Sequence, residues 1–216
     1  MPARYGLTSS PETVRAAFGL ADIEAFPERP AIAPTEPVLI VRQGLRMERQ
    51  PFLVRWGLIP GWVKDPSTIS TLFVARAETA ADKPSFRGGL RHRRCLVPAD
   101  GFYAWSGEKG ARKAHYFQKQ DGALLAMAGI WEHWIGVDGS EVDTMAVLTV
   151  AANEDVGRVT DRMPMLIDAA DFTSWLDCRD GESVSVAPLM ARVPDVALQM
   201  TDVAGPLPRG RLKGLA

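Results

Sequence analysis

Arg94-Cys95-Leu96-Val97-Pro98-Ala99-Asp100-Gly101-Phe102-Tyr103-Ala104-Trp105 is the stretch that decides the fold. It reads as a buried strand over Cys95, Leu96 and Val97 that ends in a Pro/Asp/Gly turn. The chain then restarts as an aromatic-rich strand from Phe102 to Trp105. Outward from this pair, strands dominate. Val38 to Arg42, Phe52 to Trp56, Ala114 to Lys119, Leu124 to His133, Thr144 to Val150 and Val196 to Thr201 all carry strand patterning. Phe73 to Thr79 reads as a short strand running into a helix. Ser10-Pro11-Glu12 is a helix start, with a Ser cap, Pro at the first helical position and an acid in the first turn. Asp168 is expected to cap a helix running to about Cys178, with Phe172, Trp175 and Leu176 as its core contacts. A Pro-rich connector holds Pro27, Pro30, Pro34 and Pro37, and Trp56 to Trp62 is a loop with two anchoring aromatics.

The order of elements does not alternate as a doubly wound sheet would. The expected class is therefore α+β, a β-rich core of mainly antiparallel strands with peripheral helices. No internal repeat or linker divides the 216 residues, so one domain over 1–216 is expected, with 206–216 as a flexible, Gly-, Pro- and Arg-rich tail.

A hydrophobic share of 46% with 24% charged residues fits a soluble globular chain, and a net charge of −1 excludes a bulk polycation. Any nucleic-acid contact must come from a local basic patch. Arg87, Arg91, Arg93 and Arg94 offer such local charge. No stretch approaches the roughly 20 apolar residues of a membrane span, and the N-terminus lacks the apolar core of a signal peptide, so a cytoplasmic, nucleoid-associated protein is expected. Cys95 and Cys178 form no disulfide framework and no metal spacing, and both read as packing residues. His92, His115 and His133 have no mutual metal spacing, so neither metal nor cofactor is expected. Gly88-Gly89 and Gly107 to Gly110 lack phosphate-loop spacing. No Ser-His-Asp set is legible along the chain, although such triads assemble in space rather than in sequence.

The Arg94–Trp105 run resembles the signature of the SOS-response-associated peptidase (SRAP) family. Further segments look like family landmarks in the right order: Arg4, Ala33-Pro34-Thr35, Trp56 to Trp62, Ala75 to Thr79, Ala128 to Glu132, Ala151-Ala152-Asn153 and Asp161 to Pro164. The resemblance implies a barrel-like core, helices around it and a basic cleft for single-stranded or junction DNA. It also implies a chemistry. In the family, a Cys at position 2, exposed by Met removal, carries an amine and a thiol on adjacent carbons. The amine forms a Schiff base with the aldehyde of an abasic sugar, and the thiol closes a five-membered ring. Asn, Glu and His side chains place the sugar and move protons.

At every one of those positions this chain departs. Pro2 stands in place of the Cys, Val74 of the Asn, Ala104 of the Glu and Thr160 of the His. Pro2 has no thiol, Val74 and Ala104 offer no side-chain hydrogen bond, and a Thr hydroxyl is a poor acid or base near neutrality. The positions whose family counterparts contact phosphates remain: Arg4, Arg76 and Arg162. Pro34, Trp62 and Trp105 remain as groups that stack on bases or wedge a junction, while Val63 replaces a second aromatic. The bland alternative for each Arg is an ion pair, as between Arg76 and Glu78, with Asp161 orienting Arg162. The expectation is non-covalent binding of single-stranded or junction DNA, with abasic sites as a target the resemblance implies, by a chain without the cross-linking chemistry. Two alternatives stay open. The secondary amine of Pro2 would give an iminium ion and β-elimination at an abasic site, or the fold would serve protein interaction alone.

Overall fold

The computed structural model describes residues 4–108, 111–179, 181, 184–205 and 207. In chain order its strands are β1 (Arg4–Leu7), β2 (Arg29–Ile32), β3 (Pro37–Gln43), β4 (Arg49–Trp56), β5 (Val74–Arg76), β6 (Arg94–Ala99), β7 (Gly101–Ser106), β8 (Lys113–Lys119), β9 (Leu125–Ile135), β10 (Glu141–Ala151), β11 (Arg162–Pro164) and β12 (Leu198–Val203). The α-helices are α1 (Pro11–Phe18), α2 (Ala77–Ala80), α3 (Pro84–His92), α4 (Glu154–Gly157), α5 (Phe172–Leu176) and α6 (Ala187–Met190).

Five strands close on themselves in the order β3-β4-β10-β9-β6, and β6 returns to β3. The seam between β6 and β3 is narrow, with Val41 opposite Leu96. Long β10 is the hub. One of its edges carries β4 and then β5, both parallel; the other carries β9 and then β11, both antiparallel. A second, five-stranded sheet runs in the order β12-β8-β7-β1-β2 and is antiparallel throughout. The result is α+β, as the element order along the sequence implies, with the barrel core that the family resemblance implies.

The deciding stretch joins the two sheets. β6 belongs to the barrel and is buried along its whole length, whereas β7 belongs to the outer sheet. Between them Asp100 acts as more than a turn residue. Its carboxylate accepts hydrogen bonds from Thr8 N and Oγ1 and from Ser9 N and Oγ, and its own N–H donates to Gly6 O at 2.8 Å. The turn thus clamps the segment after β1 against the start of β7. Gly101 is required there because a Cβ would stand 2.3 Å from Phe117 O. On the inner face of the outer sheet, Tyr5, Phe102 and Phe117 are buried. Phe102 stacks on Phe117 with ring centroids 5.5 Å apart, and Tyr5 meets Trp56 of the barrel at 5.3 Å.

Helix α1 begins as its sequence dictates, with Ser10 Oγ accepting from Thr13 N at 3.2 Å and Gly19 closing the helix at φ +63°. Such a cap stabilises a helix by about 1 kcal/mol. Three local expectations are corrected. The Pro-rich connector contains β2, which tolerates Pro30 because it is the end strand of its sheet. Asp168 makes no capping side-chain bond. The expected single helix is a 3-10 turn, Ala169–Asp171, followed by α5, which ends at Leu176 before Cys178.

The reading of Arg94 as surface charge is also corrected: it adds nothing to a surface patch. It is buried, with Nε donating to Trp175 O at 2.6 Å, Nη1 to Leu90 O at 2.9 Å and Nη2 to Asp177 O. The last carbonyls of a helix lack partners within it and carry partial negative charge, so one guanidinium fastens the C-terminal ends of α3 and α5 to β6. Trp175 Nε1 completes the joint by donating to Cys95 O at 2.8 Å. Among the described residues, no helix is long and apolar enough to cross a membrane. The tail expected over 206–216 lies, apart from Leu207, outside the described residues.

Candidate nucleic-acid interface

The residues singled out by sequence fall into two neighbouring groups. The first surrounds the far end of β10. Val74 pairs with Val147 and Arg76 with Thr149 on one edge, and Arg162 pairs with Ala151 on the other. Thr160 lies just before β11. Arg76 is exposed at the N-terminal end of α2. Arg162 is largely enclosed, and both its terminal nitrogens are engaged. Its Nη1 and Nη2 bind Glu78 Oε1 and Oε2 at 2.6 and 2.8 Å, and Nη2 also donates to Thr149 O at 2.5 Å. Glu78 therefore pairs with Arg162 rather than with Arg76, and Asp161 does not orient Arg162. Its carboxylate instead accepts a 3.4 Å bond from Thr160 Oγ1. The Arg162 hydrogen bonds hold the Glu78 carboxyl below its ordinary range, with a smaller contribution from the Arg76 charge.

The second group lies on the outer face of β1, β7, β8 and β12. Strand alternation sends Arg4, Trp105 and Ala114 to that face. With Arg112, Lys113 and Asp202 they line an open groove of about 760 Å³. Three cations face one carboxylate there, on a chain whose overall charge is −1. Trp105 presents a half-buried aromatic surface within this basic lining.

Arg4 links the groups. Besides the groove, it borders a cavity of about 10 Å³ between the sheets, lined also by Tyr5, Trp56, Phe102, Val147 and Pro164. Ala104 shares the inward face of β7 with Phe102 and is fully buried. Val74 pairs with Val147, which lines that cavity, and at the three positions Val74, Ala104 and Thr160 the side chains are two apolar groups and one hydroxyl.

Pro34 and Trp62 do not line the groove. Pro34 precedes Thr35, whose N–H donates to Trp56 O at 2.7 Å, so the 33–36 turn is fastened to the barrel edge. Trp62 is 62% exposed on the loop after β4. Its neighbour Val63 is buried with Ile59 and Trp134, and Trp134 Nε1 donates to Val63 O at 2.6 Å. The loop is rigidly seated while the Trp62 ring faces outward. Pro2 lies outside the described residues. Arg112 and Lys113 were not singled out from sequence; they follow the Gly107–Gly110 stretch, and only the β7–β8 pairing brings them beside Arg4 and Trp105. Arg93 donates to Glu132 at 2.8 Å, which leaves Arg87 and Arg91 of the expected Arg cluster exposed on α3.

The fold of two abutting β-sheets is shared by known proteins. A crystal structure of a Bacteroides thetaiotaomicron protein superposes with a TM-score of 0.81 at 23% identity, covering 93% of this chain and 91% of that one. One from Bordetella bronchiseptica superposes at 0.78 and 24% identity, covering 94% and 99%. The sequence family defined as SOS response associated peptidase (SRAP) matches residues 1–207, and the chain belongs to it. Among curated relatives, the abasic site processing protein YoqW of Bacillus subtilis is 35% identical over 147 residues, 68% of this chain and 65% of that protein. The abasic site processing protein HMCES of Gallus gallus is 33% identical over 171 residues, 65% of this chain and 51% of that protein. The chain spans less than two thirds of the length of these relatives.

Proposed function

We propose that this chain binds single-stranded or junction DNA non-covalently, with abasic sites as its lesion, and that it has lost the cross-linking chemistry. The observation that carries the reading is the groove in which Arg4, Arg112 and Lys113 surround Trp105. Guanidinium and ammonium groups neutralise phosphates, and an indole supplies a sequence-tolerant stacking surface. Kinship with proteins named for abasic-site processing directs the lesion assignment. Arg76, exposed beside β10, extends the phosphate path. Arg162 joins it by exchanging Glu78 for a phosphate, since both are planar or tetrahedral oxyanions that suit the same fork. Trp62 and Pro34, which do not line the groove, would support a bound strand beyond it.

The loss of chemistry follows from side-chain inventory. Ring closure on an aldehyde needs a thiol, which Pro2 lacks, and proton transfer needs groups that Val74 and Ala104 do not have. Fluorescence anisotropy of a labelled single-strand/duplex junction, abasic and undamaged, titrated at two salt concentrations, tests the binding. Affinity that falls as salt rises, with the abasic probe preferred, supports the reading. Absence of binding at low salt overturns it and leaves the fold to protein interaction. Denaturing gels of the abasic complex should show no covalent adduct, with or without borohydride; an adduct trapped by borohydride alone would instead identify lyase chemistry at the N-terminal amine.

A further inference from the structure

The inner face of the outer sheet carries a second constellation, which adjoins the groove through Lys113 and Asp202. Ala104 lies directly across from His115 on the neighbouring strand, and His115 directly across from Asp202 on the next. Ser106, two residues along β7, projects from the same face. His115 is buried and both its ring nitrogens are engaged. Its Nε2 lies 2.7 Å from Ser106 Oγ, and its Nδ1 lies 2.7 Å from Asp202 Oδ1. Three strands thus assemble a Ser-His-Asp relay from residues spread over 97 positions, a set that inspection along the chain does not reveal.

Hydrogen-bond inventory fixes the direction of the relay. An ionised carboxylate only accepts, so Nδ1 must carry the proton and donate it to Asp202. In the neutral imidazole, Nε2 then holds the lone pair, and the Ser106 hydroxyl must donate to it. This is the arrangement in which a histidine serves as general base to a serine while a carboxylate holds the required tautomer. Lys113 is the cross-strand neighbour of Ser106 on this face and supplies positive charge where an oxyanion would develop.

We propose that Ser106, His115 and Asp202 form a serine-nucleophile acyl-transfer site for small carboxylic esters with a negatively charged acyl group. In the first step Ser106 Oγ bonds to the ester carbonyl carbon as its proton passes to His115 Nε2. The carbon–oxygen bond to the leaving alcohol then breaks, and the alcohol takes that proton. Water attacks the acyl-serine, gives its proton to Nε2, and the serine leaves with that proton restored. The net change is ester and water to acid and alcohol. Ser106 and His115 do not line the groove, whereas Asp202 and Lys113 border both it and the relay, so the nucleophile and base are tested apart from DNA binding.

A fluorophosphonate probe applied to the full chain tests the nucleophile. Mass spectrometry should place the adduct on Ser106, and Ser106→Ala should abolish it. Asp202 is exposed, so Asp202→Asn should fold normally, as checked by circular dichroism, yet lower the labelling rate about tenfold or more by releasing the tautomer. Wild type should hydrolyse 4-nitrophenyl hemisuccinate faster than 4-nitrophenyl acetate. An unlabelled wild type beside a fully labelled trypsin control overturns the proposal, as does labelling that persists in Ser106→Ala or is unchanged in Asp202→Asn. The relay would then be a hydrogen-bonded support for a buried imidazole. Acetate turned over faster than hemisuccinate overturns the substrate assignment.

Discussion

The arginines of the barrel and those of the outer sheet sit in opposite circumstances. Arg94 is enclosed by three main-chain carbonyls, and Arg162 is held by both oxygens of Glu78 and by Thr149 O. Arg4 and Arg112 border an open groove with Lys113 and Trp105. A guanidinium that meets several fixed oxygens serves the fold, whereas one bordering an open groove can be reached by a ligand. On the proposed function, the difference separates structural cations from recognition cations, a distinction that a count of basic residues cannot make. It also yields predictions in which stability and DNA affinity move independently.

The largest effect belongs to Arg94. Arg94→Ala removes the donor for carbonyls at the ends of two helices and leaves a cavity beside Trp175. Losses of this kind cost about 3–5 kcal/mol. Urea unfolding should show that drop in midpoint, while the folded fraction keeps its affinity for the junction probe. A variant of unchanged stability would mean that the three carbonyl contacts are not what seats α5 on β6.

The groove should behave in the opposite way. Replacing Arg112 and Lys113 together by Glu leaves no buried partner behind, because both are exposed. Stability should stay within about 0.5 kcal/mol of wild type. DNA affinity should fall about tenfold or more, and each lost phosphate contact should make the slope of log affinity against log salt about one unit shallower. Trp105→Ala should weaken binding by about 1–3 kcal/mol with the salt slope unchanged, since stacking releases no counterions. Anisotropy titrations over a salt series read both quantities. A Trp105→Ala slope that changes with the affinity would show that the indole orders the cations instead of holding a base.

How much of this the sequence discloses depends on the range of the interaction involved. The turn at Asp100–Gly101, the cap at Ser10 and the strand from Arg94 are legible because local residue chemistry determines them. Barrel closure is not, because β3 and β6 meet with Val41 opposite Leu96, 55 positions apart, and the signal for each strand is the same whichever neighbour it finds. The fate of Arg94 was misread for a related reason. Four arginines close in sequence suggest a patch, but Arg94 opens a strand buried throughout, and the helix ends that receive it come from α3 and from α5 some 80 residues away. Arg4 and Trp105 are expected as DNA contacts through the family resemblance, and the fold sets both in the lining of one groove. Arg112, Lys113 and the Ser106–His115–Asp202 relay emerge only once β7, β8 and β12 are in register. Strand alternation in facing segments is the one signal that could have pointed to them.

Glu78 gives the smallest effect and the finest test, because it sits where the two kinds of arginine adjoin. Its carboxyl is held below the ordinary value of 4.5, chiefly by the Arg162 hydrogen bonds. A carboxyl of depressed pKa stabilises the folded state above its unfolded value, and that contribution is lost as pH falls through the folded value. Glu78 is about half exposed, so screening limits the pair to about 0.5–1 kcal/mol. Glu78→Gln should therefore lower stability by that amount at pH 7, while the two unfolding curves should draw together as pH falls through the depressed folded-state value. Its consequence for DNA divides the readings of Arg162. Should Arg162 exchange its carboxylate for a phosphate on binding, releasing it in advance removes a competitor, and Glu78→Gln should bind the junction about two- to threefold more tightly, well under 1 kcal/mol. An unchanged affinity would assign Arg162 wholly to the fold beside Arg94, and confine phosphate recognition to the groove and to Arg76.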